Sequence, residues 1–218
     1  DCVKVDADAQ QSFVDFGKRD VAKLDGKAVI DALLEAGLFG YINQLPYAVS
    51  TNPSVMPKAI FVSALRDKPL AADFEYEVKG QEADFQTGLT ALSKIAKTYL
   101  GVGVGSVLEN VKDVEVNVFD GKCPAGNVGV QVNHIDPVNK GEVVWTIGDP
   151  SVVLFIGRLF NSGKVDLRRT VALCGSEIKS PAYVDMLVGE ELSTLLSNSS
   201  DASKSVRIIN GNVLTGKP

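Results

Sequence analysis

Apolar positions in the middle of the chain alternate between short continuous runs and a helical spacing. Residues 59–64 form a nearly continuous apolar run, which is typical of a strand buried on both faces of a parallel sheet. Phe85, Leu89 and Leu92 then follow at spacings of four and three, which places them on one face of a helix. Strands that alternate with helices in this way predict right-handed crossovers and a parallel sheet with helices on both faces. We therefore expect a Rossmann-like α/β fold.

The same criteria predict the other elements of this α/β region. They are a helix after Asp25 that ends at Gly37, strands over 98–102, 114–119 and 143–147, and helices over 106–111, 124–135 and 149–163. Two prolines and several polar residues mark 45–56 as a loop. This loop is longer than most connections in such folds, so it is a candidate binding loop.

The pattern changes after Gly163. Strands are predicted over 167–174 and 182–188, a short helix over 190–196, and a last strand over 206–209. Two strands, a helix and a returning strand indicate a small α+β module. We divide the chain into 1–24, the tail of a preceding β-rich region, 25–163, the α/β domain, and 164–218, the small module. Because the chain opens on Asp rather than Met, we expect it to be a fragment of a longer protein.

Composition and charge exclude several classes of protein. The chain has 218 residues, of which 45% are hydrophobic and 22% charged, as in an ordinary globular protein. The net charge of -5 and the lack of a Lys/Arg-rich run argue against nucleic acid as a partner. The densest apolar run, 152–156, is far shorter than the ~20 residues needed to cross a bilayer.

Cys2, Cys123 and Cys174 include no closely spaced pair, which disfavours iron–sulfur and zinc sites and suggests a reducing compartment.

A glycine-rich stretch offers one possible nucleotide site. Gly101 and Gly103 follow a predicted strand, and Asp120 ends the next strand near the spacing of a ribose-binding acid. However, Ser106 stands at the third glycine position of the fingerprint, and the stretch follows the second strand of the sheet rather than the first. A tight connection explains the glycines equally well. A soluble NAD(P)-binding oxidoreductase that uses Gly101, Gly103 and Asp120 is therefore the alternative hypothesis.

Other side chains that could carry chemistry give weaker signals. His134 is the only histidine, which excludes a multi-histidine metal site and makes a structural, hydrogen-bonded role the expectation. We expect Cys123 to be an inert thiol. Asp73, Glu75 and Glu77 are expected to form a solvated face. The sequence thus predicts neither a catalytic residue nor a metal site.

Several segments occur together in a characteristic order and spacing. They are 59–64, 68–73, 123–138, 144–147, 156–160 and 169–175. In this order they resemble the A subunit of the bacterial sodium-translocating NADH:quinone oxidoreductase, and the resemblance covers essentially the whole chain. The segments 175–183 and 189–192 are similar to the soluble-ligand-binding β-grasp domain that comes next in that family.

The resemblance implies a role in electron and sodium transport. It implies a peripheral subunit on the cytoplasmic face of the bacterial inner membrane, which acts as an enzyme only within the complex and is inactive as a fragment. Its Rossmann-like domain is related to the flavin- and NADH-binding subunit of respiratory complex I but is expected to bind no cofactor. The implied partners are the membrane-embedded and other subunits of the complex, together with ubiquinone or menaquinone as its substrate.

The sequence departs from the family pattern at several positions. Cys123, Gln131 and Asn133 stand where histidines are expected, so no metal or proton role is carried over to them. Leu45 stands where an arginine is expected, which weakens an anion-binding role for loop 45–56.

A quinone site is the remaining expectation from the resemblance. Quinone pockets are apolar slots with one or two hydrogen-bonding groups. Tyr47, Ser50 and Thr51, followed by Phe61 in the next strand, supply both kinds of side chain. We therefore predict quinone binding at these four residues. A purely structural adaptor, which binds partner proteins and no small molecule, is a third hypothesis.

Overall fold

The computed structural model describes residues 3–6, 12–199 and 205–217. Cys2 and part of the tail predicted over 1–24 lie outside these ranges. The helices are α1 (Gly26–Glu35), α2 (Phe74–Val78), α3 (Glu82–Ile95), α4 (Val128–Ile135), α5 (Ser151–Ser162) and α6 (Ser193–Ser199). The strands are β1 (Asn43–Leu45), β2 (Val49–Ser50), β3 (Ile60–Ser63), β4 (Thr98–Gly103), β5 (Glu115–Phe119), β6 (Val144–Ile147), β7 (Arg168–Leu173) and β8 (Ala182–Leu187).

Six strands form one sheet in the order β2-β1-β6-β3-β4-β5. Strands β6, β3, β4 and β5 are parallel, which confirms the predicted α/β fold. Strands β1 and β2 add an antiparallel hairpin at one edge. The chain runs from β3 outward through β4 to β5 and then returns to place β6 on the other side of β3. The strand order therefore reverses between β3 and β6, which makes this the topological switch point of the sheet.

The larger core lies between one face of the sheet and helices α1, α3 and α5. Helices α3 and α5 approach closely because glycine stands at their contact. A Cβ atom on Gly157 would lie 1.7 Å from the carbonyl oxygen of Asp84, and one on Gly88 would lie 2.2 Å from that of Val153. Gly163 ends α5 in the left-handed region, with φ of 76°, as the sequence predicts.

Helix α4 covers the opposite face of the sheet. It packs on a smaller apolar cluster of Ala59, Phe61, Tyr99, Val132 and Val144. The rings of Phe61 and Tyr99 stack in this cluster, with their centroids 4.8 Å apart. The predicted helix 124–135 begins later than expected, at Val128, where the Asn127 side chain accepts a hydrogen bond from the Gly129 N–H.

Two predictions for the start and middle of the chain need correction. Residues 45–56 are not a loop throughout, because Leu45 belongs to β1 and residues 49–50 form β2. The exposed hairpin has few buried side chains and so lacks the alternation that identifies a strand. In the described part of 1–24, the regular element is a 3-10 helix, Val21–Lys23, and Phe16 donates its N–H to the carbonyl of Gly163.

The C-terminal module contains the antiparallel pair of β7 and β8. Its helix, α6, begins at Ser193 rather than at the predicted residue 190. The predicted strand 206–209 is wrong: among the described residues, the pairing found there is one isolated bridge between Asn210 and Lys217. A segment with alternating polarity forms a strand only where a neighbouring strand pairs with it, and the periodicity of the segment does not predict whether such a neighbour is present. Within the described ranges, every helix is too short or too polar to cross a bilayer.

Candidate functional site

The loops that follow β3 and β6 leave the sheet side by side at the switch point. Arg66 comes from the first loop and Asp149 from the second, and Arg66 Nη2 lies 2.9 Å from Asp149 Oδ1. The same nitrogen donates a hydrogen bond to Ser151 Oγ at 2.8 Å, in the first turn of α5. Open α/β sheets bind ligands outside the carboxyl ends of their strands at this point. In this chain an arginine side chain occupies that position.

Glu77 of α2 is the second partner of Arg66. Its side chain is 1% exposed, and its Oε2 lies 2.9 Å from Arg66 Nη1. Ser151 Oγ donates to Glu77 Oε1 at 2.7 Å. The prediction that Asp73, Glu75 and Glu77 form a solvated face is therefore wrong for Glu77. Helix α2, which Asp73 caps, turns Glu77 inward, where the planar guanidinium of Arg66 compensates for the loss of water.

Arg169 of β7 connects the C-terminal module to this charged group. Its Nη1 lies 2.7 Å from Asp149 Oδ2. Burial acts to raise the pKa of the Asp149 carboxyl, but the charges of Arg169 and Arg66 and a hydrogen bond from the Ser151 N–H outweigh it and hold that pKa below its usual value. We call Arg66, Glu77, Asp149, Ser151 and Arg169 the ionic cluster.

The ionic cluster is suited to join parts of the chain. Each of its two carboxylates contacts an arginine, so neither is left as an uncompensated base. Its members come from the loops after two strands, from two helices and from β7. Such an arrangement fixes the C-terminal module against the switch point of the sheet. The side chains of the ionic cluster therefore join the two modules by ion pairs and hydrogen bonds.

An aromatic pair adds a second contact between the sheet domain and the C-terminal module. Tyr76 of α2 and Tyr183 of β8 stack with their centroids 4.4 Å apart. The Asp73 N–H donates to the hydroxyl of Tyr183 at 3.2 Å. The short helix α2 therefore contacts β7 through Glu77, whose Oε1 lies 3.4 Å from the Thr170 amide, and β8 through Tyr76.

Two polar side chains on the α4 side hold Gly126 near the end of strand β3. Asp67 Oδ2 accepts a hydrogen bond from the Gly126 N–H at 2.8 Å, and Ser63 Oγ donates to the Gly126 carbonyl at 2.9 Å. A Cβ atom on Gly126 would lie 2.2 Å from the carbonyl oxygen of Leu65. These bonds hold the segment around Gly126 as turns, which explains why helix α4 starts after it.

The structure places Gly101 and Gly103 inside strand β4 and not in a loop. A Cβ atom on Gly101 would lie 2.1 Å from Gln131 Oε1, and one on Gly103 would lie 3.3 Å from Leu65 Cδ1. Both glycines therefore face neighbouring side chains. The helix predicted after them is a 3-10 helix of four residues, Val107–Asn110. Asp120, the predicted ribose ligand, is exposed directly after β5.

The four residues predicted to bind quinone lie along the α4 face and the hairpin edge of the sheet. Tyr47, at the tip of the β1–β2 hairpin, is 82% exposed, and Thr51 Oγ1 donates to the Ile42 carbonyl at 2.7 Å. Ser50 and Phe61 share one row of paired residues across β2, β1, β6 and β3. They are separated by three strand spacings, or about 14 Å. Phe61 is 1% exposed beneath α4, so the structure does not gather the four around one cavity.

His134 and Cys123 have separate surroundings. His134 Nδ1 lies 2.9 Å from the carbonyl oxygen of Val130, one turn earlier in α4, which is the structural role expected. Cys123 is an exposed free thiol. Across the part of the chain that the structure describes, no three His, Cys, Asp or Glu side chains lie close enough to hold a metal ion.

The sequence analysis did not predict the grouping of Arg66 with Glu77 and Arg169. One signal was present: Arg66 and Asp149 each follow a buried parallel strand within a few residues. Because the carboxyl ends of neighbouring parallel strands meet at one edge, these opposite charges could have been paired. The strand order that makes β3 and β6 neighbours was not readable from the sequence.

Comparisons with known proteins identify both parts of the chain. Residues 24–165 match the family described as the NqrA second alpha/beta domain, and residues 170–218 match the one described as the NQRA C-terminal domain. Among curated proteins, the chain is 32% identical over 219 residues to the A subunit of the Na(+)-translocating NADH-quinone reductase of Saccharophagus degradans. It is 31% identical to the protein of that name from Marinomonas sp. and 32% to that from Pseudomonas aeruginosa. Each alignment covers 99% of this chain and 48% of the relative, so the chain spans about half the length of these relatives.

Proposed function

The chain belongs to the NqrA family, and on that premise we propose that it functions as part of the A subunit of a Na⁺-translocating NADH:quinone reductase. One observation carries the proposal: two NqrA domain families match in succession, over 24–165 and 170–218. The chain therefore carries the two modules one after the other, and the alignments with the named relatives cover 99% of it. In this function the protein takes part in an oxidoreductase reaction together with the other subunits of the complex.

Isolation of the complex tests this assignment. The full-length protein that carries this chain, expressed with an affinity tag in its own cells, is expected to co-purify with membrane subunits that oxidise NADH and reduce quinone. Purification of the tagged protein alone, from cells whose membranes hold an active reductase, would overturn the assignment.

The protein is proposed to be peripheral, to lie at the cytoplasmic face of the bacterial inner membrane, and to carry no redox centre. The surroundings of the glycines support the last point. The side chains of Gln131 and Leu65 occupy the space next to Gly101 and Gly103, where a pyrophosphate would need open access to backbone amides. This packing favours a structural reason for the glycines over the dehydrogenase hypothesis.

The β1–β2 hairpin is proposed to contribute to quinone binding. Tyr47 and Val49 of the hairpin are exposed apolar side chains, as is Met56 after it, and Tyr47 adds a hydroxyl that can bond a quinone carbonyl. Since an open hairpin cannot enclose a ligand, another subunit would complete the pocket. Phe61 would support this site from the core and not contact the quinone, because α4 covers it.

Photo-crosslinking tests the quinone proposal. A photoreactive quinone analogue, illuminated in the assembled complex, is expected to label residues between 45 and 56. Excess unlabelled quinone should compete with the labelling. Label in other subunits of the complex, with none between residues 45 and 61 of this one, would overturn the quinone site and leave the assignment to the reductase intact.

A structural adaptor is the second candidate function. The ionic cluster favours it, because arginine side chains fill the switch point where related sheets bind ligands. An adaptor would be needed for assembly of the complex but would take no label from the quinone analogue. The crosslinking experiment therefore distinguishes the two functions.

A further inference from the structure

A polar cleft lies between the α/β domain and the C-terminal module. Its volume is about 240 Å³, and its lining residues are Gln81, Arg158, Asp166, Arg168, Arg169, Thr170 and Asp185. It adjoins the ionic cluster, with which it shares Arg169. Ligand sites occur preferentially at such boundaries between domains, although most are larger, at about 300–1,000 Å³. The cleft therefore has room for a small polar molecule.

Arg158 of α5 forms one wall of the cleft in a fixed position. Its Nη1 donates to the carbonyl oxygens of Asp166, at 3.1 Å, and Arg168, at 2.6 Å. Its Nη2 donates to Gln81 Oε1. All these acceptors are neutral, and Arg158 forms no ion pair with any carboxylate among the described residues. The guanidinium is thus held in one position without a carboxylate at contact distance.

Two further arginines add donors that the protein does not use. Arg168 is exposed and forms no ion pair within the described part of the chain. Arg169 uses Nη1 for Asp149, but its Nε is buried and has no hydrogen-bond partner there. Because this Nε has almost no accessible surface, the donors open to the cleft are those of Arg168.

The carboxylates of the cleft bond to neutral donors and not to these arginines. Asp166 Oδ1 accepts from the backbone N–H of Arg168 at 3.0 Å, and Asp185 Oδ1 accepts from Thr170 Oγ1 at 2.7 Å. Two guanidinium charges therefore remain without a carboxylate at contact distance. A bound oxyanion would supply the carboxylate-like partner that these guanidinium groups lack, and its several oxygens match the unused N–H groups of Arg168.

We propose that this cleft binds a small oxyanion of the phosphate type. Arg168 contacts the anion directly, and Arg158 supplies fixed positive charge. The site is independent of the proposed place of the protein in the reductase. Its ligand could be free phosphate or the head group of an anionic phospholipid, since both present the same oxygens.

Calorimetric titration of the full-length protein tests this site. Inorganic phosphate, against sodium chloride at equal ionic strength, is expected to bind with one phosphate per chain. Arg168→Gln removes one charge-assisted contact and should weaken binding at least about tenfold. Because Arg168 is exposed and unpaired, this variant should keep the melting temperature of the wild type without phosphate.

Lys140→Gln is the matched control, because it removes the same charge from an exposed residue at the opposite, amino-terminal end of the parallel strands. It should bind phosphate as the wild type does. Vesicles that contain phosphatidic acid, used in place of phosphate, show whether the ligand is a phospholipid head group. Binding of phosphate or of these vesicles that depends on Arg168 supports the site. Binding of neither ligand, or an equal loss in both variants, would overturn it.

Discussion

Arg66, in the loop after β3, and Glu77, in α2, form a buried ion pair in which Nη1 and Oε2 lie 2.9 Å apart. This pair occupies the switch point of the sheet, where open α/β folds bind their ligands. It also positions Glu77 to contact the C-terminal module, because Thr170 donates its N–H toward Glu77 Oε1 at 3.4 Å. In this chain, the edge where other open α/β folds bind ligands therefore joins the two modules.

Glu77→Gln should destabilise the protein strongly. The substitution keeps the shape of the side chain but leaves the buried charge of Arg66 with Asp149 as its remaining partner. Loss of one partner of a buried pair costs about 3–5 kcal/mol, and the second carboxylate makes the lower end of this range the expectation. Urea denaturation measures the free energy of unfolding. Glu75→Gln, from the same helix but outside the ionic cluster, should change it by less than about 0.5 kcal/mol, and equal losses in both variants would contradict the role of the pair.

Asp149 should contribute stability that depends on pH. Its pKa is lower in the folded protein than its ordinary value of 3.8, so the folded state favours the ionised form. This contribution is fully present above the unfolded pKa and is lost as the pH falls below it through the folded pKa. The difference in unfolding free energy between the wild type and Asp149→Asn should therefore be largest above about pH 5 and shrink below about pH 4. Urea denaturation at pH 3 to 7 measures it, and a constant difference would show that the charge of Asp149 is not responsible.

Gly157→Ala should disrupt the contact of α3 with α5. The added Cβ would lie 1.7 Å from a backbone oxygen of Asp84, so one helix must shift. Overpacking costs about 1–3 kcal/mol where side chains can adjust, and a backbone contact should cost at least the upper value. Gly40→Ala is the control, because a Cβ there meets nothing within 4 Å. The two melting temperatures should differ by several degrees, and similar values would mean that the helices adjust freely.

Strands β3 and β6 were predictable because burial on both faces leaves continuous apolar runs such as 59–64. Glu77 was not predictable, because its partner Arg66 lies in a different loop and the local sequence shows only a run of acidic residues. The β1–β2 hairpin was missed because an exposed edge pair contributes little to the core. Phe61 was assigned to a ligand surface, although its apolar run already indicated a buried strand. Contacts between residues far apart in the sequence decided the case of Glu77, while the hairpin and Phe61 depended on local burial.

Nucleotides should not stabilise the protein. NADH, NADPH or FMN at about 100 times the dissociation constant of a real site would add about 2.7 kcal/mol, which is a shift of several degrees. We expect no shift in a thermal scan, because Gln131 and Leu65 cover the glycines of β4. A shift with NADH that disappears in Asp120→Asn, a change at an exposed residue, would restore the dehydrogenase hypothesis.

The most direct test of the proposed function separates the two half-reactions of the complex. The reductase is purified without its NqrA protein, and NADH oxidation is measured with ferricyanide and with quinone as the acceptor. If NqrA lies at the quinone end and holds no redox centre, ferricyanide reduction should persist, quinone reduction should be lost, and the added full-length protein should restore it. Loss of both activities, restored together by that protein, would show that NqrA takes part in NADH oxidation or electron transfer and would contradict the account.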